Sequence, residues 1–353
     1  MRLRFDLGCH FERSREIFLF TFCCLLSTIF LFSCGNNNSE KQKLSSSDSL
    51  PPDLVSINQQ IDKDRGNPEL YFKRAKYFFS EKKFSDAIGD MNIVLKIDSA
   101  KPRYYIFLSD LYFTQNKTRD TRDKLRKAIS LDTTNTEALM KYSQLFYLLR
   151  KYDTAMFYIN RSLHYDKANA VANFQKGMIL KEWGDTTKAI SSFQDAVKID
   201  QKYYDAYMQL GILFAAKKNH MALDYFNDAL SIDPNSTETH YAKGKLLQDV
   251  GDYDNALAEY NTILQTSPDN QDATFNIGAI YYEQKKYDDA IEKFNLTIKR
   301  DENFFRGYYG RGRCYEAKKE KDKAIDDYKH CLALKPDFKL ASIQMDIIMR
   351  KKG

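Results

Sequence analysis

Residues 271–304, QDATFNIGAIYYEQKKYDDAIEKFNLTIKRDENF, recur as a pattern about every 34 residues along most of the chain. Ile277, Ile280 and Tyr281 fall at three- and four-residue spacing, on one face of a helix. After the polar turn Gln284-Lys285-Lys286 a second face carries Ala290, Ile291, Phe294, Thr297 and Ile298. Gly278 and Ala290 stay small, and small residues let two helix axes approach closely. A helix–turn–helix unit repeated at fixed period buries its apolar face only against its neighbours. The 353 residues therefore build one growing stack rather than the two or three domains that length alone suggests.

The register extends over residues 68–338. The small residue of the first helix is Ala75, Ser109, Ser143, Gly177, Gly211, Gly244, Gly278 and Gly312. That of the second is Ala87, Thr121, Ala155, Ala189, Ala222, Ala256, Ala290 and Ala324. One turn further stands a bulkier residue: Met91, Leu125, Ile159, Phe193, Phe226, Tyr260, Phe294 and Tyr328. A third small site is Ala128, Ala196 and Ala229, enlarged to Val94 and Ile263 in the first and sixth copies. Pro234, Pro268 and Pro336 close units where the backbone must leave helix. On these residues the chain resembles the tetratricopeptide repeat family, with eight tandem copies, the fifth lacking one residue near Lys217. The resemblance implies an all-α fold, an α-solenoid wound as a right-handed superhelix of about eight helix pairs. Val55, Ile57 and Ile61 suggest a capping helix within 53–67, and 339–353 forms a second cap.

The first 33 residues are different material. Arg2, Arg4, Arg13 and Arg15 precede the apolar run Ile17–Phe32, the layout of a secretion signal and short of the roughly 20 residues that span a bilayer. Leu31-Phe32-Ser33-Cys34 resembles a bacterial lipobox, with Phe32 bulkier than usual. It implies cleavage before Cys34 and acylation of that residue, and several acyl chains make a stable membrane anchor. An uncleaved signal anchor with a chance cysteine is the alternative. Residues 34–52, CGNNNSEKQKLSSSDSLPP, lack the apolar content for a core and form a polar tether. Extended, it reaches roughly 60 Å. The segment is asparagine-rich rather than acidic; by resemblance to Bacteroidetes-type lipoproteins this favours an outer-membrane lipoprotein facing the periplasm.

Charge is high but mixed, with 54 Lys and Arg against 48 Asp and Glu, which argues against a nucleic-acid partner. Once the signal is removed, Cys314 and Cys331 are the cysteines left beside Cys34. Export permits a disulfide between them, and two buried thiols are the other reading. His164, His220, His240 and His330 lack metal-ligand spacing, and there is no phosphate loop or nucleophile elbow. Asp288-Asp289 and Asp326-Asp327 read as helix starts, and Trp183 as packing. We therefore expect no catalysis, no metal and no cofactor.

In the repeat family the first helices line a concave groove that holds a protein or peptide. Carried over position by position, the groove residues are Phe72, Phe79, Ile106, Phe113, Met140, Tyr147, Phe174 and Met178. They continue as Met208, Ile212, Tyr241, Phe275, Tyr282 and Tyr309. Aromatic and methionine side chains suit recognition hot spots, and the other reading is that several of these residues pack against neighbouring helices. The Lys–Asn pair with which co-chaperone repeats hold a terminal carboxylate is absent. Lys82-Lys83, Arg150-Lys151, Lys217-Lys218, Lys285-Lys286 and Lys318-Lys319 fall in turns within repeats. Asp98, Asp132, Asp166, Asp200, Asp233 and Asp301 fall between repeats. Helix-end preferences account for both, with aspartate read as an N-terminal cap; the other reading is a basic edge that faces anionic lipid or a polyanion. Asp48-Ser49-Leu50, Asp98-Ser99-Ala100 and Asp185-Thr186-Thr187 resemble Bacteroidetes O-glycosylation acceptors, with chance occurrence in an aspartate-rich chain as the other reading. The expected function is a membrane-anchored scaffold for assembly of an outer-membrane, pilus or secretion complex. The alternative is a glycan-capturing uptake lipoprotein, although such proteins carry insertions between repeats that this chain lacks.

Overall fold

The structure, a computed structural model, describes residues 51–350. The signal segment, Cys34, all but the end of the tether and Asp48-Ser49-Leu50 lie outside the described residues. Eighteen helices and no strand occur among the described residues. The first, α1 (Pro52–Lys63), starts one residue earlier than expected and ends sooner. It buries Leu54, Ile57 and Ile61, so Leu54 takes the inward place expected of Val55. Eight antiparallel pairs follow. They are α2 (Pro68–Ser80) with α3 (Phe84–Ile97), α4 (Pro102–Thr114) with α5 (Thr118–Leu131), and α6 (Thr136–Leu148) with α7 (Tyr152–Tyr165). Next come α8 (Ala170–Trp183) with α9 (Thr186–Ile199) and α10 (Tyr204–Ala216) with α11 (Met221–Ile232). The last are α12 (Thr237–Val250) with α13 (Tyr253–Thr266), α14 (Gln271–Glu283) with α15 (Tyr287–Arg300), and α16 (Phe305–Ala317) with α17 (Lys321–Leu334). Helix α18 (Lys339–Arg350) ends the described region. Each helix packs on its partner and on the start of the next pair, and first helices of neighbouring pairs also touch, as α6 with α8 and α14 with α16.

Size matching sets the crossing within each pair. A Cβ placed on Gly177 would sit 2.6 Å from the Phe193 ring, and one on Gly211 2.4 Å from Phe226. Gly244, Gly278 and Gly312 face Tyr260, Phe294 and Tyr328 in the same way. In the first three repeats the pairing changes on both sides: Ala75, Ser109 and Ser143 stand in register with aliphatic Met91, Leu125 and Ile159, all buried. An aromatic ring therefore demands glycine opposite, whereas an aliphatic side chain leaves room for a Cβ. The approach is close enough for Ser143 Oγ to donate to the Ala155 carbonyl at 2.8 Å.

The turns are equally regular. One residue per repeat has positive φ: Lys82, Asn116, Arg150, Gly184, Lys218, Gly251, Lys285 and Lys319. Each lets α-helix reverse into its partner within a few residues, and six of the eight are not glycine. The basic turns thus carry residues held in the left-handed region, beyond any dipole preference. The aspartates between repeats are not N-terminal caps. Asp98, Asp132, Asp200, Asp233 and Asp301 end second helices. The Oδ1 of each accepts the backbone N–H two residues on, an Asx turn that aims the chain into the next helix. Capping falls to Asn135, Asn169, Ser236 and Asn270, three residues before a backbone N–H that each accepts. Backbone and side-chain donors hold Asp98 and Asp132 below the usual carboxylate range. The missing residue of the fifth repeat is absorbed at the start of α11, which has 12 residues where the other second helices have 14.

One polar device appears at both ends of the array. Arg74 on α2 makes a bidentate pair with Asp90 on α3, while its Nη1 donates to Asn58 of α1 at 2.7 Å. Arg311 on α16 repeats this with Asp327 and with Asn295 of α15 at 2.6 Å. The arginine lies 16 residues from each partner in both cases, so α1 occupies the place of a second helix preceding the first repeat. Asp326-Asp327 is accordingly mid-helix, not a helix start, while Asp288-Asp289 does lie in the first turn of α15.

Candidate functional site: the face of the first helices

The fourteen residues expected to line the groove divide into two groups. Phe72, Ile106, Phe174, Met178, Met208, Phe275 and Tyr309 are buried, between 1% and 6% exposed. The expectation that these seven present an outward surface is corrected. All but Met178 share one register position, which points into the seam between successive repeats; Met140 and Tyr241 hold the same position and are less completely covered. Phe174 meets Phe193 and Tyr203 at 5.4 and 5.1 Å, and Phe275 meets Phe294 and Phe304 at 5.5 Å each. Phe72 packs on Tyr104 and Phe107, and Tyr309 on Tyr328 and Phe338. The other seven, Phe79, Phe113, Met140, Tyr147, Ile212, Tyr241 and Tyr282, are half-buried. They form the apolar part of this face that remains accessible.

Polar and cationic groups share the face, and they were not among the expected site residues. The Arg103 guanidinium lies over Phe72 and Arg306 over Phe275, 5.7 and 5.6 Å from the ring centres. Arg313 stacks on Tyr282 at 5.0 Å and donates to its hydroxyl at 2.7 Å. Lys141 Nζ lies 2.8 Å from Asp110 on the preceding first helix. All four pairs are 31 residues apart, one helical turn short of the repeat, because neighbouring first helices meet one turn out of step. That spacing is the signal that could have found them. Further along, Lys181 donates to Gln209 at 2.8 Å and Asn276 to the Tyr241 hydroxyl at 3.3 Å.

Burial perturbs several of these groups. Desolvation pushes the carboxyls of Asp110 and Asp205 above their ordinary range, Asp110 despite the opposing pull of Lys141. Desolvation lowers Lys181 and raises Tyr282. The face is a mixed surface of half-covered rings and desolvated charges of both signs. Among the described residues no cluster of His, Cys, Asp and Glu could hold a metal ion. Cys314 and Cys331 are buried and free, and burial pushes each thiol up to about 12. Trp183, expected to pack, is 49% exposed beside the α8–α9 turn. It borders a shallow depression with Met156, Leu180 and residues 184–188, where Thr186 is the first residue of α9. No helix among the described residues is long and apolar enough to cross a membrane.

Stacked helix pairs with a continuous first-helix face define an α-solenoid of the protein-interaction kind. Residues 170–203, 241–303 and 305–338 each match the tetratricopeptide repeat family. The chain is a tetratricopeptide-repeat protein, of a family whose members are generally non-catalytic scaffolds. Among solved structures it is similar to the C-terminal part of a tetratricopeptide-repeat protein from Cytophaga hutchinsonii, with a TM-score of 0.57 and 22% identity. That match covers 67% of this chain and 97% of the other. A tetratricopeptide repeat protein from Parabacteroides merdae matches with a TM-score of 0.51 and 17% identity, over 70% of this chain and 98% of that one. Among curated proteins, BBSome complex member BBS4 of Bos taurus is 26% identical over 112 residues, 31% of this chain and 21% of the relative. Photosystem I assembly protein Ycf3 of Acaryochloris marina is 27% identical over 95 residues, 26% of this chain and 57% of the relative. The matched regions thus span about a fifth and just over half of those two relatives.

Proposed function

We propose that the chain is a lipid-anchored scaffold of a bacterial envelope that holds an extended protein segment along its first-helix face. The observation that carries the reading is the accessible half of that face. Phe79, Phe113, Tyr147 and Tyr282 share one register position on their four helices, so they form a spaced row. Desolvated charges lie beside the row, and aromatic contacts flanked by charge give affinity and register together. The repeat region supplies the scaffold, and the Cys34 motif supplies the anchor through its acyl chains. The polar residues that follow Cys34 hold the repeats off an outer membrane on its periplasmic side, a position suited to assembling an outer-membrane, pilus or secretion complex. No insertion between repeats is present to carry a sugar site, which favours a protein ligand over a glycan.

The test has two arms. Replacing Phe113 and Tyr147 by alanine is expected to reduce partner capture from the host envelope without loss of helical content. Capture at the wild-type level would remove the face from consideration. Cys34→Ala is expected to appear as a heavier precursor or to leave the membrane fraction. Equal fractionation and unchanged mass would remove the anchor while leaving the scaffold reading to stand or fall on the first arm.

A further inference from the structure

The two ends of the array are finished differently. Helix α1 turns Leu54, Ile57 and Ile61 inward and presents Ser56, Gln59, Gln60 and Asp62 to solvent. Helix α18 buries Ala341 and Ile348 against the last repeat, in a cluster with Tyr309, Tyr328 and Cys331. Its far side is not polar: Leu340, Ile343 and Ile347 are 37%, 52% and 38% exposed. Their spacing of three and four residues makes one stripe along the helix. A terminal helix ordinarily closes a repeat stack with a polar outer face, as α1 does here.

Charge marks what fits the stripe. Lys339 and Asp346 are exposed, lie on the same flank of it, and enter no ion pair among the described residues. Two copies of a helix set antiparallel about a two-fold axis bring like flanks together, so each position meets its mirror in sequence. With the axis beside Ile343, Leu340 faces the partner's Ile347 and Ile343 meets the partner's Ile343. In the same arrangement Lys339 falls within one helical turn of the partner's Asp346, and the pair occurs twice. The flank is self-complementary in charge where the stripe is self-complementary in shape.

We propose that α18 is a self-association surface through which two copies of this chain pair antiparallel, closing as a dimer. Because α1 offers no matching apolar stripe, head-to-tail growth is disfavoured and assembly stops at two. One helix from each copy is a small contact, so the dimer forms in a concentration-dependent way rather than as an obligate unit. In the anchored protein it doubles the number of first-helix faces per complex, and avidity for a repeated partner rises accordingly.

Sedimentation velocity on the full chain across a roughly hundredfold concentration range tests this. The wild type is expected to pass from monomer to dimer. Ile343→Glu, at an exposed position, is expected to stay monomeric throughout with unchanged helical content. Lys339→Glu sets two acidic residues against each other and is expected to weaken association at least about tenfold, and adding Asp346→Lys restores it. A wild type that stays monomeric overturns the proposal. So does assembly that survives Ile343→Glu, growth beyond the dimer, or failure of the double charge reversal to restore pairing.

Discussion

Gly177→Ala tests the size matching that holds each helix pair. The new Cβ would lie 2.6 Å from two atoms of the Phe193 ring, which is fully buried and backed by Phe174 at 5.4 Å. The ring cannot swing aside, so the helices must part. Overpacking of this kind costs about 1–3 kcal/mol. Alanine recovers roughly 1 kcal/mol of helix propensity over glycine. The net is a loss of up to about 2 kcal/mol, read by urea unfolding followed by circular dichroism. Gly89 in α3 is the internal control, since a Cβ there meets nothing within 4 Å. Gly89→Ala is expected to gain about 1 kcal/mol. Phe193→Leu should restore the pairing seen at Ser109 and Leu125, so in the Gly177→Ala background it costs about 1 kcal/mol less than alone. If the two alanine variants shift stability in the same direction, or the Gly177–Phe193 cycle is additive, the reasoning fails.

Asp327→Ala leaves the partly covered Arg311 without its bidentate partner and is expected to cost about 2–4 kcal/mol, against less than about 0.5 for Asp195→Ala in the exposed Asp195–Lys198 pair; equal effects in equilibrium unfolding would refute this. Lys285→Gly relieves a positive φ of 62° and is expected to gain about 0.5–1 kcal/mol, whereas Gly184→Ala at φ 95° loses about as much; a loss from the first or a gain from the second would refute the strain argument. Burial raises the Asp205 carboxyl, so its folded form binds a proton more readily than the unfolded chain. Its ionisation therefore lowers stability as pH rises through the raised folded value, and the penalty is absent below the ordinary carboxylate range. Asp205→Asn is expected to raise the melting temperature at neutral pH and to leave it unchanged in acid; a pH-independent effect would contradict the desolvation account.

Much of the fold was legible because a 34-residue period with small and bulky residues at fixed offsets leaves few ways to stack helices. Gly278 against Phe294 could be read directly, since shape complementarity within a pair is local in sequence. The face was less legible. Phe275 and Tyr282 lie seven residues apart on one helix and look alike in pattern, yet Phe304 covers the first and leaves the second half-exposed. Covering depends on how far one repeat is displaced from the next, and that step is set by many contacts at once. The stacked Arg306 and Arg313 were overlooked because their spacing of 31 residues is visible only once that displacement is known. Asp98 and Asp132 carried a composition cue with two possible meanings, and only backbone geometry separates an N-terminal cap from an Asx turn closing a helix. Trp183 fails for a related reason, since nothing in the local pattern says that its ring lies beside an open turn.

The central claim is that a protein segment lies along the first helices of an anchored array. A photo-reactive side chain introduced at Tyr147 or Tyr282, and separately at exposed Lys198 or Lys299 on second helices, tests it in intact host cells. The account predicts a covalent adduct of one defined mass from the first pair of positions and none from the second. Adducts confined to the second-helix positions, or equal from both, would contradict it.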